Sequence, residues 1–357
     1  MGFKEYLKLM VEKNASDMFF RVGGKVHMRL NGQVLPVADN TISIDDMEQA
    51  LKEMLSEEMV RFFRNTLDLD FALYVPELSH RFRVSIFMQR NWPSVVIRNI
   101  PSSIDSMDNL HLPTEILKKL ASESRGLVLL TGTMGSGKST TISSMIEYIN
   151  ENCHKHILTI EEPIEYTFKD KNSIVNQREL GKDVNSYPVA LRSFTLQSPD
   201  VIYVGNIRDY ETMSAALTAA ETGVLVLSTL HTVNASRTVE RIINFFPPHQ
   251  QPQIRSQLSS LLKGVISQRL VPLKDGSGRI PACEIMLLSP TISRLMREGK
   301  GWEMNQYIED GAIFGMQSFN QALVTLVHED KITVEDAMNF SDNKDEFLLC
   351  LKGFKKM

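Results

Sequence analysis

The stretch that decides the fold is GLVLLTGTMGSGKSTTISSMIEYIN, Gly126–Asn150. Its first six residues form an apolar run behind a glycine, which predicts a buried strand over Gly126–Thr131. Gly132–Ser139 fits the pattern GxxxxGK[ST] in full, and Ser139–Asn150 reads as a helix. Strand, loop and helix in that order are what phosphate binding requires. Glycines let backbone N–H groups wrap the phosphates, and a helix N-terminus adds positive partial charge. Lys138 is expected to reach the β- and γ-phosphates and the Ser139 hydroxyl to join a Mg2+ shell. The alternative is a glycine-rich turn of purely structural use, and the flanking strand and helix speak against it.

Working outward, the chain from Leu117 alternates strands with helices, which predicts a parallel sheet. The expected strands are Gly126–Thr131, His156–Ile160, Ser173–Gln177, Val201–Val204 and Val224–Thr229. Helices are expected at Ser139–Asn150, Tyr187–Gln197, Tyr210–Glu221, Ala235–Phe245 and Gln253–Leu270. Leu273–Leu287, with Lys274-Asp275-Gly276 as its turn, reads as a hairpin, and the chain after Ser289 as helical.

The first hundred residues read as a smaller α/β unit. A helix is expected over Phe3–Glu12, short strands over Ser16–Leu35 with an Asn31-Gly32 hairpin turn, and one long helix over Ile44–Phe63. Strands are expected at Leu67–Tyr74, His80–Gln89 and Ser94–Ile100. The stretch Pro101–Pro113 has two prolines and little periodicity, so the domains are expected to be 1–102 and 114–357, with a linker at 103–113.

Composition narrows the function. Hydrophobic residues make up 43% and charged residues 23%, an ordinary globular balance. A formal net charge of −4 does not support a dominant electrostatic grip on nucleic acid. No apolar run approaches the ~18–20 residues of a transmembrane segment, and MGFKEYLKLMVEK is no secretory leader. Three widely spaced cysteines, Cys153, Cys283 and Cys350, fit reduced thiols in a cytoplasmic protein.

A P-loop needs an acidic partner that holds Mg2+ or orients water. The strand Asp200–Gly205 is in the right place, but the residue after its glycine is Asn206, an amide. Glu161, Glu162 and Glu165 surround Pro163, which breaks a strand where the sheet's C-terminal edge should face the nucleotide. They are read as the catalytic acidic cluster, against ordinary solvated carboxylates. His231 ends an apolar strand on the same edge and is read as a γ-phosphate sensor or interface contact, against a structural histidine.

Several stretches carry a family resemblance: IVNQREL (Ile174–Leu180), PDVIYVGNIRDYET (Pro199–Thr212), AETGVLVLSTLHT (Ala220–Thr232), RIINFFP (Arg241–Pro247) and LKGVISQRLVP (Leu262–Pro272). GMQSFNQAL (Gly315–Leu323), SDMFFRVGG (Ser16–Gly24) and RFRVSIFMQRN (Arg81–Asn91) add to them. Together the chain resembles the retraction ATPases of type IV pili, the PilT and PilU family, and within it the PilU-like members. They belong to the secretion-ATPase superfamily.

The resemblance implies an N-terminal PAS-like α/β domain and a C-terminal RecA-like P-loop ATPase domain with a helical C-terminal segment. It implies a homo-hexamer that binds ATP and Mg2+ on the cytoplasmic side of the inner membrane. Its partners would be the pilus platform protein of that membrane and a second retraction ATPase, with no nucleic acid. Matched residue by residue, the Walker A loop is Gly132, Thr133, Met134, Gly135, Ser136, Gly137, Lys138, Ser139 and Thr140. TIEEPIEY (Thr159–Tyr166) is the Asp box, with Glu162 a candidate for the nucleotide's Mg2+. Gly205–Asp209 ends Walker B and Gly223–His231 is the His box. Arg81, Arg83 and Arg98 are the candidate arginine fingers, and the strand spacing puts Arg81 and Arg83 on one face.

The departures point to weakened turnover. Asn206 stands where the family has the base or water-orienting Glu, and loss of a general base costs on the order of 10²–10⁴ in rate. Val224 replaces the first histidine of the His box, Glu162 an Asp, Leu196 an Arg and Met134 a Thr. SRLMRE (Ser293–Glu298) departs from the family's AIRNLIRE. Two readings stand: slow hydrolysis with Glu162 or Glu165 contacting the water, or a non-hydrolysing accessory ring subunit that needs a competent partner. A nucleoside kinase would need a lid and an acceptor pocket after its P-loop, and nothing between Ser139 and Asp200 suggests one. A RecA-like DNA motor predicts basic, aromatic-rich loops, and the acidic overall charge and the PAS-like half speak against it.

Overall fold

The computed structural model describes residues 2–30, 32–100 and 104–353. The chain divides into two compact units, Met1–Ser103 with Pro163–Thr167, and Ile104–Glu162 with Phe168–Met357. Residues 101 and 102 of the expected first domain, residue 103 of the expected linker and Asn31 of the expected hairpin turn lie outside the described residues. Residues 104–113 carry turns but no helix or strand.

The first unit is a six-stranded antiparallel sheet with three helices. In chain order it runs α1 (Phe3–Glu12), β1 (Asp17–Arg21), β2 (Lys25–Leu30), β3 (Gln33–Thr41), α2 (Ile44–Met54), α3 (Glu57–Thr66), β4 (Asp68–Val75), β5 (His80–Gln89) and β6 (Trp92–Ile100). The strand order is β3-β2-β1-β6-β5-β4. Helix α1 buries Phe3, Tyr6, Leu7 and Met10, the apolar positions its spacing implied. On β5 the alternation is strict: Phe82, Val84 and Ile86 are buried, while Arg81 and Arg83 face the other way.

The expected helix Ile44–Phe63 is two helices. Leu55 is extended, and the Ser56 hydroxyl accepts from the Met59 N–H and caps a new helix. Serine competes for backbone hydrogen bonds inside a helix and favours the cap position.

The second unit holds α4 (Thr114–Ala121), β7 (Gly126–Thr131), α5 (Lys138–Asn152), β8 (His156–Glu161), β9 (Ile174–Glu179), α6 (Tyr187–Phe194), β10 (Val201–Val204), α7 (Tyr210–Glu221), β11 (Leu225–Leu230), α8 (Ala235–Asn244) and α9 (Gln251–Leu261). Strands β12 (Leu262–Pro272) and β13 (Arg279–Leu287) follow, then α10 (Pro290–Glu298), α11 (Met304–Glu309), α12 (Phe319–His328), α13 (Val334–Phe340) and α14 (Lys344–Leu351). The seven-stranded sheet has the order β13-β12-β7-β11-β10-β8-β9. All neighbours are parallel except β12 and β13. Every residue of β7 and β11 is buried, as helices on both faces of a parallel sheet demand.

One expectation fails here. The helix placed over Gln253–Leu270 ends at Leu261, and Leu262–Pro272 is the strand β12, parallel to β7 and antiparallel to β13. The hairpin therefore begins before Leu273, and only its turn and second strand sit where the sequence placed them. Its apolar residues fit a helical period, but Val265, Ile266 and Val271 prefer a strand. Gly264 is closely packed there: an added Cβ would lie 3.1 Å from Leu120 and 3.2 Å from Leu287, which would have to give by a few tenths of an ångström.

No helix of the described residues is long and apolar enough to cross a membrane, and no disulfide joins the cysteines.

Candidate functional site

The P-loop leaves the C-terminal end of β7 in the middle of the sheet and ends on α5. Its glycines answer to geometry. Gly132 has φ +146°, and a Cβ there would lie 2.5 Å from the Gln268 carbonyl oxygen and 2.6 Å from Ser136 Oγ. Gly137, the N-cap of α5, has φ +89°, and its Cβ would meet Gln268 Nε2 at 2.7 Å. No side chain caps α5 and its first turn has no acid, and a helix N-terminus of that kind favours an anion.

Lys138 is buried, and its ammonium donates to the carbonyls of Gly132 (2.8 Å) and Thr133 (2.9 Å). The cation is thus held over the loop where phosphates would lie. Ser136 Oγ is buried without a hydrogen-bond partner in the described structure, a donor that a phosphate oxygen would satisfy. Thr133, Met134 and Gly135 form the exposed tip, with Met134 90% exposed, while Ser139 and Thr140 sit half-buried on the first turn of α5.

The two neighbouring strand ends meet the loop. Asn206, after β10, places Nδ2 3.2 Å from His231 Nε2, and His231 follows β11. The backbone of Gly132 acts on the same ring and favours its charged form, so the Asn206–His231 pair stands beside the P-loop. Burial, then the positive charges of Lys138 and Arg208, hold its imidazole below its ordinary pKa. The neutral ring can accept from the Asn206 amide. Asn206 Oδ1 is buried with no hydrogen-bond partner, an acceptor left over in the site. Beside His231 lies a cavity of about 330 Å³ lined by Arg208, Thr232 and Arg241 among others.

The acidic cluster separates. Glu161 ends β8, is buried, and accepts from Thr159 Oγ1 (2.7 Å) and Gln177 Nε2 (3.1 Å), so its carboxylate is engaged in the sheet. Glu162 is more open, with a 42% exposed side chain, and pairs with Arg208 at 3.3 Å. Glu165 falls in Pro163–Thr167, which groups with the first unit.

That unit also carries the candidate fingers, and there Arg83 and Arg98 stand opposite one another on β5 and β6. Arg98 Nε donates to Asp17 Oδ1 and Arg29 Nε to Asp17 Oδ2, each at 3.0 Å. The buried Asp17 carboxyl titrates low: desolvation opposes its charge, and the bonds from Arg98, Ser16 and Arg29 outweigh that. Arg83 lies 3.7 Å from Asp70. Arg81 shares the face of Arg83.

The position that lacks the family's first His-box histidine, Val224, is buried at the opposite end of β11, about 20 Å along the strand from His231. It does not touch the phosphate edge. Leu196 is 88% exposed.

Sequence reasoning missed Gln268, which backs two P-loop glycines and accepts from Thr141 Oγ1 at 2.8 Å on the first turn of α5. Reading β12 as a helix concealed it. The signal was present in Ser267-Gln268, two buried polar residues that a strand sends to opposite faces.

The family model described as Type II/IV secretion system protein matches residues 3–336. The type IV pilus ATPase PilU of Pseudomonas aeruginosa PAO1 is 42% identical over 352 residues, covering 99% of this chain and 92% of that protein. The type IV pilus retraction ATPase PilT of the same strain is 39% identical, covering 94% and 97%. A crystal structure of the pilus retraction motor PilT with bound ADP superposes with a TM-score of 0.90 at 40% identity, covering 97% and 98%. The expected fold stands: an N-terminal α/β domain followed by a RecA-like ATPase domain.

Proposed function

This chain belongs to the type II/IV secretion system protein family, and we propose on that premise that it is an ATP-binding motor subunit of a type IV pilus machine that drives or assists pilus retraction. The carrying observation is an intact phosphate seat, with Lys138 held over Gly132 and Thr133, in a chain alike almost end to end to PilU and PilT. The domains are 1–102 and 114–357, with the linker at 103–113. The working form is a homo-hexamer at the cytoplasmic face of the inner membrane, engaging the pilus platform protein.

The donors around the loop fit a triphosphate: the first N–H groups of α5, the Lys138 ammonium and the Ser136 hydroxyl. Ser139 and Glu162 would hold Mg2+, which supplies charge neutralisation between the phosphates. Nucleotide-bound magnesium needs only one or two protein oxygens, so this small set suffices. Arg81, Arg83 and Arg98 are candidates to approach the γ-phosphate, and Arg98 would have to leave or share Asp17 to do so.

Hydrolysis by this chain is weak. Asn206 can accept a hydrogen bond from water but cannot take its proton. Its Nδ2 is held by His231, which leaves Oδ1 as the acceptor for an attacking water. Glu162 and Glu165 are the remaining candidates for contact with that water. The same substitution favours a second reading, a ring that binds ATP and closes but depends on a competent partner ATPase. Phosphate release by the purified protein, alone and mixed with a competent retraction ATPase, separates them. Slow release alone supports the first reading, release only in the mixture supports the second, and turnover of tens per second alone contradicts both.

A further inference from the structure

Glu284 is a buried carboxyl that no step above uses. It belongs to a row of polar side chains crossing three adjacent strands. Thr131 on β7 is in register with Ser267 on β12, and Ser267 with Glu284 on β13. Residues in register across a sheet share a face, and these three bond in sequence. Thr131 Oγ1 donates to Ser267 Oγ (3.0 Å), and Ser267 Oγ donates to Glu284 Oε1 (3.1 Å). The same Oε1 accepts the backbone N–H of Ala235, the first residue of α8, at 2.6 Å.

Both ends of the row lie next to the nucleotide edge. Thr131 immediately precedes Gly132. Ala235 opens the helix reached four residues after His231, where Thr232 bonds Thr238 (2.6 Å) and Asn234 caps the turn. Next to Ser267 in sequence, Gln268 backs Gly132 and Gly137 from the opposite face. One carboxyl therefore ties the entry of the P-loop to the loop carrying His231.

We infer that Glu284 is a positioning residue for the phosphate seat, setting the P-loop against the His231 loop through Ser267, so that nucleotide affinity follows its ionisation. The affinity clause rests on the nucleotide-binding reading; the positioning clause does not. Charge-assisted hydrogen bonds are roughly twice as strong as neutral ones, so the ionised carboxylate holds Ser267 and Ala235 more tightly than the acid.

The groups around it permit that titration near neutrality. Burial pushes the carboxyl up to about 7 against the bonds from Ala235 and Ser267. Asp342 raises it and Arg269 lowers it, and those two pair with each other at 2.6 Å. Ser267 and Thr131 are uncharged, and α8 presents only its N–H.

The test measures affinity for a fluorescent ATP analogue with magnesium from pH 6 to 8.5. In parallel it measures hydrogen exchange of the P-loop peptide without nucleotide, corrected for intrinsic exchange. The full chain is compared with Glu284→Gln, which keeps an accepting oxygen but cannot ionise, and with Ser267→Ala, which cuts the row. In the unaltered protein, affinity and P-loop protection should rise by about fivefold from pH 6 to 8, the worth of about one hydrogen bond. Both variants should be flat. Either variant keeping the unaltered profile, or a flat profile in the unaltered protein, overturns the inference. If no nucleotide binds at any pH the functional reading fails, and the exchange data alone decide the role of Glu284. If Glu284→Gln does not fold, Ser267→Ala carries the same decision.

Discussion

Replacing Asn206 with glutamate tests why this chain should be a slow ATPase. The amide stands at the end of β10, one hydrogen bond from His231 and with Oδ1 buried and unused. A carboxylate there can take a proton from water, and general-base catalysis contributes on the order of 10²–10⁴, about 2.7–5.4 kcal/mol off the barrier. The exchange also removes the Asn206–His231 bond, worth about 1 kcal/mol or roughly a factor of five. Lys138 and Arg208, whose charges help depress the His231 pKa, favour an ionised carboxylate at the same spot. Taking the low end of the gain against that loss leaves about twentyfold, so Asn206→Glu should raise steady-state turnover at least tenfold. The assay is phosphate release at saturating ATP and magnesium, with nucleotide affinity measured on both proteins so that a binding change is not mistaken for catalysis. Equal turnover in the two proteins at equal affinity would show that the amide is not limiting.

Glu284→Gln should also change how stability depends on pH, independently of any nucleotide. A carboxyl raised to about 7 in the fold, against an ordinary 4.5, stabilises the protein fully below pH 4.5 and loses that stabilisation as pH rises through 7. Between pH 5 and 8 the unaltered protein should lose about 2–3 kcal/mol relative to the variant, a shift in melting temperature readable by calorimetry. Identical pH dependence in the two would refute the buried titration. Gly132→Ala should cost about 2 kcal/mol or more, because its Cβ meets a backbone carbonyl in a conformation reserved for glycine. Gly137→Ala, whose Cβ meets only the movable end of Gln268, should cost about 1 kcal/mol by thermal unfolding. Similar losses at both positions would contradict the packing described for β12 behind the loop.

What could be read from the sequence was whatever a local pattern determines. The apolar run of β7 and the glycine spacing after it each act within a few residues. The P-loop was legible for the same reason, since its chemistry is carried by one contiguous stretch. Strand β12 was not legible, because Leu262, Val265, Ile266 and Leu270 satisfy a helical period, and only pairing with β7 and β13 decides against it. With β12 hidden, the contributions of Ser267, Gln268 and Glu284 were hidden too, since they depend on register between strands far apart in sequence. The split between α2 and α3 had a local signal at Ser56, and the apolar spacing on either side outweighed it. Glu161 and Glu162 read alike in the sequence, whereas in the fold Glu161 is buried against Thr159 and Gln177 and Glu162 is more open beside Arg208. Adjacent carboxylates at a strand end are sorted by which face each occupies.

The central claim is that the Gly132–Ser139 loop grips a nucleoside triphosphate. Calorimetric titration of the purified chain with ATP in the presence of magnesium tests it most directly, alongside Lys138→Ala. The expected result is saturable binding that the alanine variant weakens at least a hundredfold, the loss of two or more charge-assisted contacts at about 1.5–3 kcal/mol each. A folded protein that takes up no ATP, or binds it equally well without the Lys138 ammonium, would contradict it.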